Sequence, residues 1–420
     1  MKKHEMINMD LDLYEEELAN GLKVYLLPME NVNNYSINYT TNYGSVDTKY
    51  HKHNKIISTP SGVAHFLEHK MFEQESGEDV HSHFAANSTY DNAFTGYFNT
   101  TYLCEGNKNF KEDLDYLISF VNAPYFTEEN ISKEQGIISE EIKMRLDNYF
   151  VKLIEESRKG IFVLPEYKDR IAGSIESIKK ITPKILYDCY NTFYVPNNMR
   201  IVITGKFNID DAMKIIHKRI DKIKRSEDVK RIEEVEQDEV VKNKSIIKGN
   251  VEIDKLLYTI KVNKDKLTNM SDIKKDIYLT LFLDTLLSST SDFYLNNFEN
   301  NNFKVFSANA NEFKNFSLLS IVADTDKTDI LIKEIDKAIK ETPDEKTFER
   351  KKKVYIADLI AGSTNETYMS RMIDHHLTTY KDPLCNIIDI IRSLNYKEFL
   401  SLIKRIDLDN KNICILKKNI

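Results

Sequence analysis

Alternating and helical periodicity divides the 420-residue chain into two series of elements that follow the same order. In the first half, SINYTTNYG at 36–44 predicts a strand and SGVAHFLEHKMFEQ at 61–74 predicts a helix. A strand pair follows at 93–98 (AFTGYF) and 100–106 (TTYLCEG), then further helices, then a strand at 199–207 (MRIVITGKF). The second half repeats the order: a strand at 256–263 (LLYTIKVN), a helix at 273–289, a strand pair at 304–312 and 316–324, helices, and a last strand at 412–418 (NICILKK). This parallel predicts a duplicated α+β unit, two similar domains that are each a mostly antiparallel sheet with helices packed on one face. The likeness is one of element order; the halves share no residue motif. Between them, 224–244 (KRSEDVKRIEEVEQDEVVKNK) reads as a charged linker, with a solvated helix as the alternative. The expected domains are therefore 1–223 and 245–420.

Composition narrows the class. With 41% hydrophobic residues the chain has enough apolar side chains for two well-filled cores. The N-terminal stretch MKKHEMINMDLDLYEEEL has no apolar run after its lysines, and no later stretch reaches the roughly 18 apolar residues of a membrane span, which points to the cytoplasm. Cys104, Cys189, Cys385 and Cys414 lie far apart without a CxxC pair, so a metal would be held by histidine and carboxylate rather than thiolate. A formal net charge of -7 argues against nucleic acid as the main partner.

Candidate chemistry is concentrated in HFLEH. His65 and His69 are one helical turn apart and share a face, with Glu68 beside them. Two neutral imidazoles at that spacing can hold one zinc ion, and an adjacent carboxylate can take a proton from water. Composition alone gives about 0.04 such patterns per chain, so two unrelated histidines on a polar face are the weaker reading. Pro60, Ser61 and Gly62 supply a helix start upstream. The other histidines considered, His51, His53, His81, His83, His375 and His376, lack a carboxylate at ligand spacing on a convincing element and read as surface or packing residues.

A catalytic zinc takes three protein ligands, and the helical segment 127–146 offers Glu134, Glu140 and Glu141. Ile131, Ile138, Ile142 and Leu146 form one apolar stripe. At about 100° per residue, Glu141 and Glu134 fall about 60° and 40° from Ile138, and Glu140 falls about 200° away. Glu141 and Glu134 therefore border the buried face, either beside a cation or as rim partners of Lys133 or Lys143.

These segments resemble the pitrilysin/insulinase-type zinc peptidases, the inverzincins, over most of residues 20–207. GVAHFLEHKMF resembles their zinc helix and KEQGIISEE their second ligand helix, in which a supporting glutamate precedes the ligand glutamate by seven residues. The resemblance thus implies a zinc ion (Zn2+) on His65, His69 and Glu141, Glu134 as the supporting residue and Glu68 as the general base. NAFTGYFNTTY at 92–102 resembles the family's edge strand that pairs with extended substrate, which gives Asn92, Ala93, Phe94 and Thr95 a substrate-binding role. FYVPNNMRIVITG at 193–205 resembles the strand closing the first domain.

One departure stands out. Complete family members carry an arginine and a tyrosine about seven residues apart opposite the zinc, whereas 293–306 (FYLNNFENNNFKVF) has no arginine and its one tyrosine, Tyr294, comes too early. The resemblance therefore implies the zinc-bearing subunit of a bacterial two-subunit peptidase. It would form half of a clamshell with a homologous chain that lacks the zinc motif and supplies the Arg/Tyr pair; a homodimer is the alternative. The expected activity is metalloendopeptidase cleavage of short or unfolded polypeptides, as in relatives that mature ribosomally made precursor peptides. The competing expectation is a non-catalytic chamber or scaffold subunit of a processing peptidase.

Overall fold

A computed structural model of the chain describes residues 1–52 and 55–419, so His53 lies outside the described residues. The chain separates into two compact units that are interleaved along the sequence. The first comprises Met1–Lys143, Asp169–Glu234 and Ile360–Asn386; the second comprises Met144–Lys168, Val235–Leu359 and Ile387–Ile420. The expected domains were continuous, and the interleaving departs from that. Helix Tyr149–Ile161, which follows the long helix Glu128–Asp147, belongs to the second unit. Helix Glu366–Thr379, which follows the long helix Glu345–Gly362, belongs to the first.

The first unit carries strands β1 (Lys2–Met6), β2 (Leu11–Glu17), β3 (Lys23–Pro28), β4 (Tyr35–Thr41), β5 (Lys49–Lys52), β6 (Lys55–Ser58), β7 (Tyr90–Thr95), β8 (Thr100–Gly106), β9 (Met199–Gly205) and β10 (Lys230–Arg231). Seven of them form a sheet ordered β1-β2-β3-β9-β4-β8-β7, in which only β3 and β9 run parallel. The second unit carries β11 (Lys244–Gly249), β12 (Lys255–Asn263), β13 (Val305–Glu312), β14 (Phe316–Asp324) and β15 (Lys411–Lys418), ordered β11-β15-β12-β14-β13 with only β11 and β15 parallel. Strands β3, β9, β4, β8 and β7 thus correspond one to one with β11, β15, β12, β14 and β13. The duplication expected from element order holds down to strand order and direction.

Interleaving adds one thing to the expected layering. Every residue of β4 is buried, which requires cover on both sheet faces. On one face Tyr35 donates to Asp113 of helix Phe110–Val121. On the other, Thr40 donates to Asp374 of helix Glu366–Thr379 at 3.0 Å. Asp374 also accepts from the Arg200 guanidinium of β9 at 2.7 Å, and the two side chains are each 5% exposed, so a buried ion pair pins that helix to the sheet. In the second unit, Leu153 of helix Tyr149–Ile161 packs with Leu257, Cys414 and Leu416.

The charged run at 224–244 is tied down along its length. Its β10 pairs with β5, and Arg231 bonds Asp47 at 2.7 Å. In the second unit, Glu236 is buried, accepts from the Val163 and Leu164 backbone N–H groups, and holds the Lys261 ammonium at 3.0 Å. The division between the units falls inside this run, at Glu234/Val235. Among the described residues no helix is long and apolar enough to cross a membrane.

Candidate metal centre

Helix Val63–Met71 starts where the sequence predicts. Gly62 precedes it with φ +94°, in the left-handed region, and a Cβ there would lie 2.5 Å from the Ala172 carbonyl oxygen, so only glycine fits. Val63, Ala64, Phe66, Leu67 and Met71 anchor the helix in the core, and His65 and His69 project from it with ring centroids 4.5 Å apart. Ile131, Ile138 and Ile142 bury one side of helix Glu128–Asp147, and Leu146 is only partly covered. Glu140 faces solvent and bonds Lys143 at 2.7 Å, which removes Lys143 as a rim partner for Glu141.

The two helices bring three predicted residues together. Oε2 of Glu141 lies 3.8 Å from His65 Nε2 and 3.6 Å from His69 Nε2, too long for hydrogen bonds. A tetrahedral zinc with bonds of about 2.0–2.1 Å sets its ligands about 3.4 Å apart, so Glu141 Oε2 needs to close on each imidazole by only a few tenths of an ångström. Among the described residues this is the one cluster of three or more histidine, cysteine or acidic side chains spaced to share an ion. Two imidazole nitrogens and one carboxylate oxygen make a donor set suited to zinc, and side-chain exposures of 9%, 27% and 20% for His65, His69 and Glu141 leave one side open to water.

Glu134 stands behind this cluster. His69 Nδ1–H donates to its Oε1 at 3.0 Å, a tautomer that turns Nε2 toward Glu141. Burial pulls the His69 pKa down, but the hydrogen bond and charge of Glu134, backed by Glu68 and Glu141, outweigh it and the net shift is upward from 6.5. A proton favoured there is what a bound cation would replace. Glu68 is partly exposed, and the Thr95 hydroxyl donates to its Oε2.

The four predicted substrate residues lie on β7, which among the described residues pairs only with β8 and so forms the edge of its sheet. Thr95 turns to Glu68, whereas Asn92 bonds its own strand, donating to the Tyr90 hydroxyl and accepting from the Ala93 N–H. Phe94 is 43% exposed.

Lys70 is not among the residues that the sequence singles out. Its ammonium is fully buried, paired with Glu73 and 3.9 Å from Glu134, where it offsets the carboxylates packed between the helices. Its position four residues after Phe66, on the buried stripe, was the available signal. Of the remaining histidines, His51 and His375 are exposed, His376 is buried, His83 stacks on Tyr116, and His81 bonds Asp91 at 2.6 Å.

A sheet with an open edge, beside a two-histidine, one-glutamate cage and a neighbouring carboxylate, has the makings of a hydrolytic metal site. Comparison with known proteins is consistent with this class. Residues 58–162 match the family described as insulinase (peptidase family M16), and residues 180–355 match its companion described as peptidase M16 inactive domain. The chain is 32% identical over 334 residues to zinc protease YmfH of Bacillus subtilis (strain 168), covering 77% of this chain and 76% of that protein. In structure it resembles an M16-like peptidase of Alicyclobacillus acidocaldarius, with TM-score 0.91 and 26% identity over 97% of this chain and 99% of that one. A protease of Helicobacter pylori shares the fold, with TM-score 0.82 and 16% identity over 96% of this chain and 99% of its own. The chain belongs to the M16 family of peptidases, the pitrilysin/insulinase type.

Proposed function

We propose that this chain is a zinc-dependent endopeptidase that cleaves short or unfolded polypeptides together with a partner subunit. The observation that carries the reading is the convergence of His65, His69 and Glu141 donor atoms next to Glu68. Those three residues would hold zinc, with Glu134 fixing the His69 ring. When bound, zinc supplies the Lewis acidity that makes water nucleophilic near neutral pH and polarises the scissile carbonyl. Glu68 takes the proton from the attacking water onto its carboxylate and then delivers it to the leaving amine nitrogen. Thr95, donating to Oε2, limits which way the Glu68 carboxylate can turn.

The open edge of β7 receives substrate as an added strand, which orders the peptide by backbone hydrogen bonds and accepts varied sequences. Tyr294 supports the need for a partner: it packs among Phe298, Phe303 and Phe306 in a segment without arginine, so the chain does not itself supply the Arg/Tyr pair there. Maturation of a ribosomally made precursor in the cytoplasm fits this reading. The test is zinc content and peptide cleavage, with the partner present, for Glu68→Gln. Retained zinc with loss of cleavage is expected; cleavage at the wild-type rate overturns the role of Glu68.

A further inference from the structure

Edge strand β7 shows two different faces. Paired residues on antiparallel neighbours share a face, so Thr95 lies with Thr100, Ala93 with Tyr102 and Asp91 with Cys104, toward helix Val63–Met71 and Glu68. Tyr90, Asn92 and Phe94 lie with Glu105, Leu103 and Thr101 on the opposite face. That face belongs to helix Glu366–Thr379: Thr101 donates to Asp374 at 3.3 Å, and Arg371 stands 3.6 Å from Glu105. The exposed stripe of this helix is Tyr368, Arg371 and His375, at the i, i+3, i+7 spacing of one helical face. The stripe lines a cavity of about 460 Å³ with Asn365, Thr367 and Met372. Tyr90 and Phe94, on the same sheet face, are 53% and 43% exposed.

A strand added to β7 would send alternate side chains to the face of Glu68 and to the face that carries this cavity. We infer that the cavity lined by Tyr368, Arg371 and His375, on the sheet face that Tyr90 and Phe94 share, is a specificity site for a carboxylate-bearing substrate side chain; the inference rests on the strand-pairing reading above. Arg371 is 62% exposed and pairs with Glu105 at 3.6 Å, longer than a hydrogen bond, so its planar guanidinium keeps donors that a substrate carboxylate can take. His375, one turn further on, is a second nitrogen donor on the same stripe. On a chain of net charge -7, an exposed guanidinium at this place favours acidic substrate residues locally. Arg371 meets the sheet at Glu105, opposite Tyr90 and five residues from Thr95, so the residue read there lies about 17 Å along the strand from the bond beside Glu68.

The test uses the full-length Glu68→Gln protein loaded with zinc, with the partner present, and short, fluorescently labelled, otherwise uncharged peptides. A single Glu or Gln is placed at successive positions, and affinity is read by anisotropy. At one position Glu should bind about tenfold more tightly than Gln. Adding Arg371→Gln should bring that ratio to about one, and Arg371→Lys should restore part of it. A ratio unchanged by Arg371→Gln, or the absence of any such position, overturns the inference. So does equal weakening of the Glu and Gln peptides, which marks Arg371 as structural. Amide exchange on β7, followed with the Gln peptides, separates the two readings. Slowed exchange without an Arg371-dependent preference overturns the specificity site alone. Absence of slowing, or of any peptide binding, overturns strand pairing and the specificity site with it.

Discussion

Replacing Glu134 with glutamine tests whether the cage depends on the residue behind it. Gln keeps the length and an oxygen that can accept from His69 Nδ1–H, but it removes the charge. The lost quantity is the difference between a charge-assisted and a neutral hydrogen bond, about 1–1.5 kcal/mol, at a contact of 3.0 Å between groups 27% and 11% exposed. Each 1.4 kcal/mol is about tenfold, so zinc affinity should fall about tenfold in Glu134→Gln, and by up to about a hundredfold in Glu134→Ala. Lys70 remains paired with Glu73 in the Gln variant, so its ammonium keeps a partner.

The assay is competition for zinc with a chromophoric chelator, with circular dichroism of the metal-free proteins as a check on folding. If the Ala variant fails to fold, the Gln variant still carries the test. A Glu134→Gln protein that holds zinc within about twofold of wild type would refute the argument, because charge behind His69 would then contribute nothing to the site.

Four further outcomes follow from the geometry. Glu141→Gln should lose zinc in the same competition assay while Glu140→Gln, altered at a solvent-facing residue bonded to Lys143, should retain it; the reverse order would transfer the ligand role to Glu140. Asp374→Asn should lower the urea-unfolding free energy by about 3–5 kcal/mol because it leaves the Arg200 guanidinium buried without its counter-charge, and Arg200→Met/Asp374→Leu should be less damaging. His376, whose pKa burial and the neighbouring His375 lower to about 4, binds a proton in the unfolded chain before it does in the folded one; stability should fall by about 3 kcal/mol as pH drops from 6.5 to 4, and His376→Gln should flatten that slope in urea titrations. Thr95→Val should keep full zinc content and lower kcat, since it removes the hydroxyl that donates to Glu68; an unchanged kcat would show that the carboxylate is held by other means.

How much of this was legible in the sequence differs from element to element. Helix Val63–Met71 and the burial of Glu134 against the exposure of Glu140 follow from local periodicity, because both depend on which side of one helix meets the core. The duplicated sheet was readable as an order of elements, since strand and helix periods persist without a shared residue motif. The interleaving was not. Helices Tyr149–Ile161 and Glu366–Thr379 have apolar faces that fit any sheet, and periodicity says which side is buried but not which core receives it. Lys70 lies on the buried stripe of its own helix, but a lysine ordinarily reads as a surface residue, and Glu134, one of the two acids beside it, comes some sixty residues later in the chain. The charged run at 224–244 misled for a related reason: Arg231 and Glu236 look solvated until their partners Asp47 and Lys261 are placed beside them.

The duplication also accounts for why one half carries the cluster and the other does not. Glu134 and Glu141 are the seventh and fourteenth residues of helix Glu128–Asp147, and the same positions of helix Glu345–Gly362 are Lys351 and Asp358. In the second unit the Lys351 ammonium donates to Ser288 Oγ at 2.7 Å; burial lowers its pKa, and the charge of Asp284 pushes it back up. Asp284 in turn has its pKa raised by burial and eased down by Lys351. A side chain that brings its own positive charge steadies the buried acid without an ion, and it would repel a divalent cation placed beside it. Restoring glutamate at 351 would not rebuild the cage, because helix Asp272–Leu287 offers no histidine. The strand order common to both units therefore constrains the scaffold and leaves the chemistry to a few helix positions.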